Sequence, residues 1–100
     1  MISTKIREAL RLIDREGWLH IGQFHNHGYD LVSALQTAFS GVPHGGVLGE
    51  DYRVAHKQLQ RMTGTRLLSA WNDDPKRCKH EVLGLLAQAA QHFEEKEANA

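Results

Sequence analysis

The feature that most restricts the fold is a wide apolar stripe near the C-terminus. Its members recur with the period of an α-helix, and further apolar residues broaden the face. The stripe consists of Val82, Leu85, Leu86, Ala89 and Phe93, broadened by Leu83, Ala87 and Ala90. A helix with so broad an apolar face has to be covered on two sides, so we expect it to lie centrally in a bundle of helices.

Two earlier segments show the same helical period between recognisable start and stop residues. The first helix is expected from about Thr4 to Glu16, with Ser3 as its N-cap and Gly17 as its stop. The second is expected to begin after the N-cap Asp30 and to end at Gly41.

A third helix is expected from about Glu50 to Met62, and the chain that follows it is harder to assign. The segment Arg66–Trp71 fits either a short helix or a strand. The last helix has two possible starts, either Asp74 as N-cap followed by Pro75, or a capping box over Cys78–Glu81. Both starts are compatible if a short turn precedes the main helix.

The segment Trp18–Tyr29 has no helical period and fits a small hairpin or an irregular loop equally well. The sequence therefore predicts an all-α fold, a small bundle of four main helices with this short irregular or hairpin segment between helices 1 and 2. We expect residues 1–93 to form a single helical domain and residues 94–100 to form a frayed acidic tail.

Composition restricts the class of protein. The chain has 100 residues, as many basic as acidic side chains, and a single cysteine, Cys78. A single cysteine argues against a disulfide-stabilised secreted domain, and no apolar run approaches the length of a membrane span. The expected location is the cytoplasm, with no membrane association. The zero net charge argues against a strongly basic nucleic-acid binder.

Several residues resemble one family of small proteins. Glu16-Gly17-Trp18 closes the first helix, and Trp71-Asn72-Asp73 precedes a helix that opens on Glu81-Val82-Leu83. Together they are similar to an uncharacterised family of actinobacterial and actinophage proteins. The chain departs from that family at Cys78, where a Thr is usual, and at Ser33-Ala34-Leu35, where a Cys-Ala-Leu run is usual. The resemblance implies a bacterial or phage source and transfers no catalytic residue.

Three features suggest chemistry, and each has a simpler structural explanation. His25 and His27 would point to the same side of an extended strand and are weak candidates for a metal site, but no second ligand pair has a recognised spacing. Cys78 beside cationic residues is a candidate reactive thiol, without a visible base. The carboxylates in 73–74 precede Pro75 and fit a helix cap better than a cation site.

Charge is unevenly distributed, and the third helix carries the clearest part of the asymmetry. Between residues 52 and 80 there are seven basic and two acidic residues, a net charge of +5. On the third helix Arg53, Lys57 and Arg61 recur at every fourth position, with His56 and Gln60 between them. This face fits an acidic protein patch or nucleic-acid phosphates, and a merely solvated helix face is the simpler alternative.

No arrangement of nucleophile and base is recognisable, so we expect a non-enzymatic protein-interaction module without a cofactor. A phage or accessory bacterial protein that acts on a host component would fit this expectation. Two alternatives stay open: a small nucleic-acid-binding protein using the third helix, and a metal-binding protein using the segment His20–His27. Part of the broad apolar face of the last helix is also a candidate homodimer contact.

Overall fold

Helical periodicity dominates the structure as it dominates the sequence. The computed structural model describes residues 1–20, 28–43 and 46–99, and this part of the chain forms helices and no strand. The helices are α1 (Ile2–Glu16), α2 (Leu31–Ser40), α3 (Glu50–Thr63), α4 (Leu68–Asp73) and α5 (Lys79–Ala98). The all-α prediction is confirmed. The helix alternative is the correct one for the segment after α3, where α4 adds a short fifth helix to the four expected ones.

The core forms around α1 and α5, which make the most extensive helix pairing of the fold, while α2 packs on the other side of α1. Every member of the main α5 stripe is buried, as the periodicity predicted. Full burial of an aliphatic side chain contributes about 1.5–3 kcal/mol, so these stripes supply most of the stabilisation. The largest fully buried side chains include Ile6, Ile13, Leu31, Leu35, Leu59 and Leu86. None of the described helices combines the length and apolar character that crossing a membrane requires.

The C-terminal residues differ from the frayed tail that we expected. Helix α5 continues to Ala98, and two of its acidic side chains bind α1. Arg7 donates two hydrogen bonds to the Glu94 carboxylate, from Nε at 2.6 Å and from Nη2 at 2.8 Å. Glu97 accepts hydrogen bonds from the Ser3 amide and hydroxyl. Ser3 was expected to cap α1, but α1 begins at Ile2, two residues before the expected start, and the Ser3 hydroxyl instead donates to Glu97.

Helix α2 shows the local capping chemistry that its sequence predicted. The Asp30 carboxylate accepts a hydrogen bond from the Ser33 amide at 2.7 Å, and the Ser33 hydroxyl accepts one from the Asp30 amide at 3.0 Å. Gly41 ends the helix in the left-handed conformation with φ of 75°. Both ends of α2 are therefore specified by residues adjacent in sequence.

A buried asparagine joins three parts of the chain. The Asn72 side chain is 0% exposed, and its Oδ1 accepts hydrogen bonds from the Trp18 indole at 2.7 Å and from the Leu31 amide at 3.1 Å. Its Nδ2 donates to the Leu19 carbonyl at 3.0 Å. The central residue of the Trp71-Asn72-Asp73 element therefore attaches α4 to the start of α2 and to the chain leaving α1.

The described ends of the α1–α2 connection lie against each other in an isolated parallel bridge between Trp18 and Tyr29. Gly28 makes this approach possible, because its φ is 137° and a Cβ there would lie 2.6 Å from the Gly17 carbonyl oxygen. A hairpin and an irregular loop were both expected over Trp18–Tyr29, and residues 21–27, which would distinguish the two alternatives, lie outside the described residues.

The junction before α5 distinguishes between the two predicted helix starts. Asp74 ends α4 instead of capping α5, and its carboxylate accepts a hydrogen bond from the Lys76 amide at 2.9 Å. Helix α5 begins with the capping box at Cys78, whose amide donates to the Glu81 carboxylate at 3.0 Å. The main helix therefore starts at the Cys78 box, and Asp74 heads the short turn at residues 75–76 before it, so the two signals are compatible in the way the sequence suggested.

Candidate functional site

Helix α3 presents its cations to solvent because its two buried residues lie on the opposite side. Ala55 and Leu59 face the core, whereas Arg53, Lys57 and Arg61 are exposed at successive fourth positions. Such positions lie about 6 Å apart along the helix axis, so the cations form a row. With Arg66, which follows the α3 C-terminus, we call this row the basic ridge.

Three of the four ridge cations have no ionic partner within the described part of the chain. Arg53 pairs with Glu50 at 3.5 Å, and both side chains are strongly exposed. Lys57, Arg61 and Arg66 take part in none of the ion pairs there. The positive charge of the ridge is therefore concentrated toward the C-terminal half of α3 and the turn after it.

The turn after α3 brings Arg66 beside the helical cations. Gly64 adopts the left-handed conformation with φ of 71° and reverses the chain direction. The Gln60 side-chain amide then donates to the Arg66 carbonyl at 2.8 Å, which holds the turn against the helix. Gln60 was predicted as a contact residue. The structure shows that this amide already has an internal partner.

Two shallow depressions run along the ridge and join at Lys57 and Gln60. One has a volume of about 410 Å³ and the other of about 620 Å³. The first is lined by Glu50, Tyr52, Arg53, Val54, His56, Lys57 and Gln60, and the second by Lys57, Gln60, Arg61, Gly64, Thr65 and Arg66. All five residues predicted as a binding face thus line one continuous surface.

The edge of this surface toward the core is formed by aromatic residues. The Tyr52 ring packs edge-on against Phe39 at 5.8 Å and lies 5.7 Å from the His56 ring. Burial raises the pKa of the Tyr52 hydroxyl above its usual value, against a smaller opposing effect of its hydrogen bond with Gln36. The hydroxyl therefore stays neutral at physiological pH and adds no charge to the surface.

Of the exposed apolar side chains, Val54 lines this surface, and Leu67 is adjacent in sequence to Arg66, which also lines it. The sequence analysis identified neither of them. Val54 is 38% exposed and lies one helical turn before Lys57, and Leu67 is 66% exposed and directly follows Arg66. Val54 falls outside the α3 apolar stripe, which is the signal that could have identified it. The position of Arg66 beside α3 depends on the turn at Gly64, and no sequence pattern predicts that position.

The sequence of this helical bundle matches a family model. The model is described as a family of unknown function, DUF6197, and it matches residues 2–92. The chain belongs to DUF6197. Searches of curated proteins and of solved structures returned no significant match. The match spans α1 to α4 and α5 as far as residue 92, so the predicted resemblance to an uncharacterised family is confirmed at that level.

The histidine segment of this DUF6197 protein provides no metal site within the described residues. His25 and His27 lie outside them, and the described part contains no group of three His, Cys, Asp or Glu side chains placed to hold a metal ion. His20 lies in the described part, where its Nε2 is 2.7 Å from the Asp74 carbonyl oxygen and its ring stacks on Trp18. Its contacts attach the connection after α1 to the end of α4.

The other two sequence candidates in this DUF6197 protein have structural roles. The exposed Cys78 caps α5, with its sulfur accepting a hydrogen bond from the Glu81 amide. Asp73 accepts a hydrogen bond from Asn72 at 2.9 Å. Arg77 covers the Trp71 ring at 3.8 Å and donates to the Trp71 carbonyl at 2.9 Å. Of the cations near Cys78 in sequence, Arg77 is therefore engaged in packing against Trp71.

Proposed function

We propose that this protein is a non-enzymatic protein-interaction module that contacts its partner through the basic ridge. The observation that carries the proposal is the set of three exposed cations without an ionic partner, Lys57, Arg61 and Arg66, which line one depression. Elsewhere in the described chain, Lys5, Arg7 and Lys79 pair with carboxylates. The other described cations without an ion pair lie on separate segments, namely Arg11 on α1, Lys76 in the turn before α5 and Lys96 near the end of α5. An acidic partner therefore gains most binding free energy at the basic ridge.

The exposed apolar side chains support a protein partner over a nucleic acid. A phosphate backbone pairs with cations but gains nothing from burying Val54 or Leu67, whereas a protein surface supplies both carboxylates and apolar groups. The zero net charge of the chain also weakens long-range attraction to a polyanion. Nucleic-acid binding through the same ridge is the main alternative.

Three further elements belong to this proposal. The source is an actinobacterium or its phage, and the partner is a component of the host cell. The protein acts in the cytoplasm without a cofactor and by binding alone. Metal binding through residues 20–27 and homodimer formation are the remaining alternatives.

The test is an affinity capture from a lysate of the source organism using two charge-matched variants. The ridge variant carries Lys57→Gln, Arg61→Gln and Arg66→Gln. The control variant removes the three other cations that form no ion pair in the described chain. Its substitutions are Arg11→Gln, Lys76→Gln and Lys96→Gln. Both variants lose three positive charges from exposed positions, so they differ only in where on the surface the charges are removed.

We expect a host protein to be retained by the wild type and by the control variant, with and without nuclease. The ridge variant should retain roughly tenfold less, because three surface ion pairs worth about 0.2–1 kcal/mol each are lost. Equal retention by both variants would refute the ridge as the contact surface. Loss of the partner on nuclease treatment, with nucleic acid in the untreated eluate, would instead support the nucleic-acid alternative.

A further inference from the structure

The arrangement of charged and apolar groups on the basic ridge restricts the chemistry of its ligand. Val54 precedes Lys57 by three residues and Arg61 by seven, so the three side chains lie on the same face of α3. Leu67 provides a second exposed apolar group immediately after Arg66. On α3, an exposed apolar side chain therefore shares one face with two of the cations.

The charge of the surface also has a direction. At the N-terminal end of α3, Glu50 pairs with Arg53 at 3.5 Å and neutralises it. Toward the C-terminal end, Lys57, Arg61 and Arg66 line a depression whose described residues include no acid. A ligand bound along α3 therefore needs its negative charge opposite the C-terminal half and none opposite Glu50.

We infer that the basic ridge binds an acidic amphipathic helical segment of a partner protein, with carboxylates paired to Lys57, Arg61 and Arg66 and apolar side chains covering Val54 and Leu67. The inference rests on the proposed function and names the kind of partner. Carboxylates at every fourth position of a helix repeat at about 6 Å, the same repeat that separates Lys57 from Arg61. Such a segment meets both the charge spacing and the exposed apolar groups.

A peptide selection tests this inference without knowledge of the natural partner. A displayed library of random peptides of about 16 residues is selected on the immobilised full chain, on the ridge variant and on the control variant at about 150 mM salt. We expect the wild type and the control variant to enrich peptides in which Asp or Glu and apolar residues recur at helical spacing. The ridge variant should not enrich them.

The best peptide then tests the apolar part of the surface. Its affinity is measured by fluorescence anisotropy against Val54→Ser and against the matched control Val47→Ser, which alters an exposed valine outside both depressions. We expect Val54→Ser to weaken binding about three- to tenfold and Val47→Ser to leave it unchanged. A single-stranded DNA of equal charge should bind more weakly than the peptide.

Several outcomes would overturn the inference. They are the absence of enrichment, enrichment of peptides without acidic residues, equal enrichment on the ridge variant, and tighter binding of the DNA. Its failure is distinguishable from that of the proposed function. A host protein captured through the ridge, with no acidic peptide selected, would contradict only the ligand chemistry. Acidic peptides selected without any ridge-dependent host protein would contradict only the function.

Discussion

Substituting Asn72 by alanine tests whether one buried amide holds the connection between α1 and α2 in place. The substitution removes the acceptor of the Trp18 indole and of the Leu31 amide, together with the donor to the Leu19 carbonyl. A buried donor that loses its partner costs about 1–3 kcal/mol, and Leu31 is fully buried whereas Trp18 is half-buried. We expect a total loss of about 3 kcal/mol.

A loss of that size is large for a domain whose stability is expected at about 5–15 kcal/mol. It should lower the melting temperature by about 12–24 °C, because 1 kcal/mol corresponds to about 4–8 °C in domains of this size. Urea unfolding followed by circular dichroism measures the free energy directly. Gln88→Ala removes an exposed amide from α5 and is the control, with an expected change within about 0.5 kcal/mol.

A double-mutant cycle isolates the hydrogen bond from the other effects of the substitution. Trp18→Phe removes the indole donor, so the Asn72→Ala substitution should cost about 1 kcal/mol less in that background than in the wild type. Additive effects of the two substitutions would refute the assigned hydrogen bond. A loss below about 1 kcal/mol for Asn72→Ala alone would refute the role of this residue as a junction.

Three further predictions concern individual positions. Gly28→Ala should destabilise the fold by about 1–3 kcal/mol, because its Cβ would lie 2.6 Å from the Gly17 carbonyl oxygen at a φ of 137°; an unchanged urea midpoint would contradict this. Gly84→Ala should stabilise by about 0.5–1 kcal/mol, because an added Cβ meets no atom within 4 Å inside a helix; a lower melting temperature would contradict this. Hydrogen bonding from Arg7 holds the pKa of the Glu94 carboxyl below its usual value. The Arg7–Glu94 pair therefore stabilises the fold at any pH above the usual pKa of Glu, and this contribution is lost as the pH falls through the pKa of the folded state. Glu94→Gln should therefore unfold at lower urea than the wild type at neutral pH, and the difference should shrink as the pH falls below the usual Glu pKa of about 4.3, which urea titrations at several pH values measure.

The helices could be predicted from sequence because their signals are local. Asp30 and Ser33 cap α2 through groups three residues apart, and Cys78 and Glu81 do the same for α5. The exposure of Lys57 and Arg61 could also be predicted from the sequence, because they lie opposite a buried face on the same helix. For these elements a pattern within a few residues already contains the interaction that stabilises the structure.

The composition of the candidate surface could be predicted only in part. The five residues proposed from α3 lie together because a regular helix fixes their relative positions. Arg66 joins them only through the reversal at Gly64 and the hydrogen bond from Gln60. Val54 has a sequence signal, its position outside the apolar stripe of α3, but the degree of its exposure depends on how α3 packs on its neighbours.

By itself, the sequence determined that this chain forms a helical bundle with a basic third helix, since helical period, caps and left-handed glycines act over one or two turns. Only the tertiary structure decided the roles of residues whose partners are distant in sequence. Asn72 binds Trp18 and Leu31, and Glu97 binds Ser3 at the other end of the chain. The physical reason is that a hydrogen-bonding side chain has several possible partners in the unfolded chain, and packing of the helices selects one.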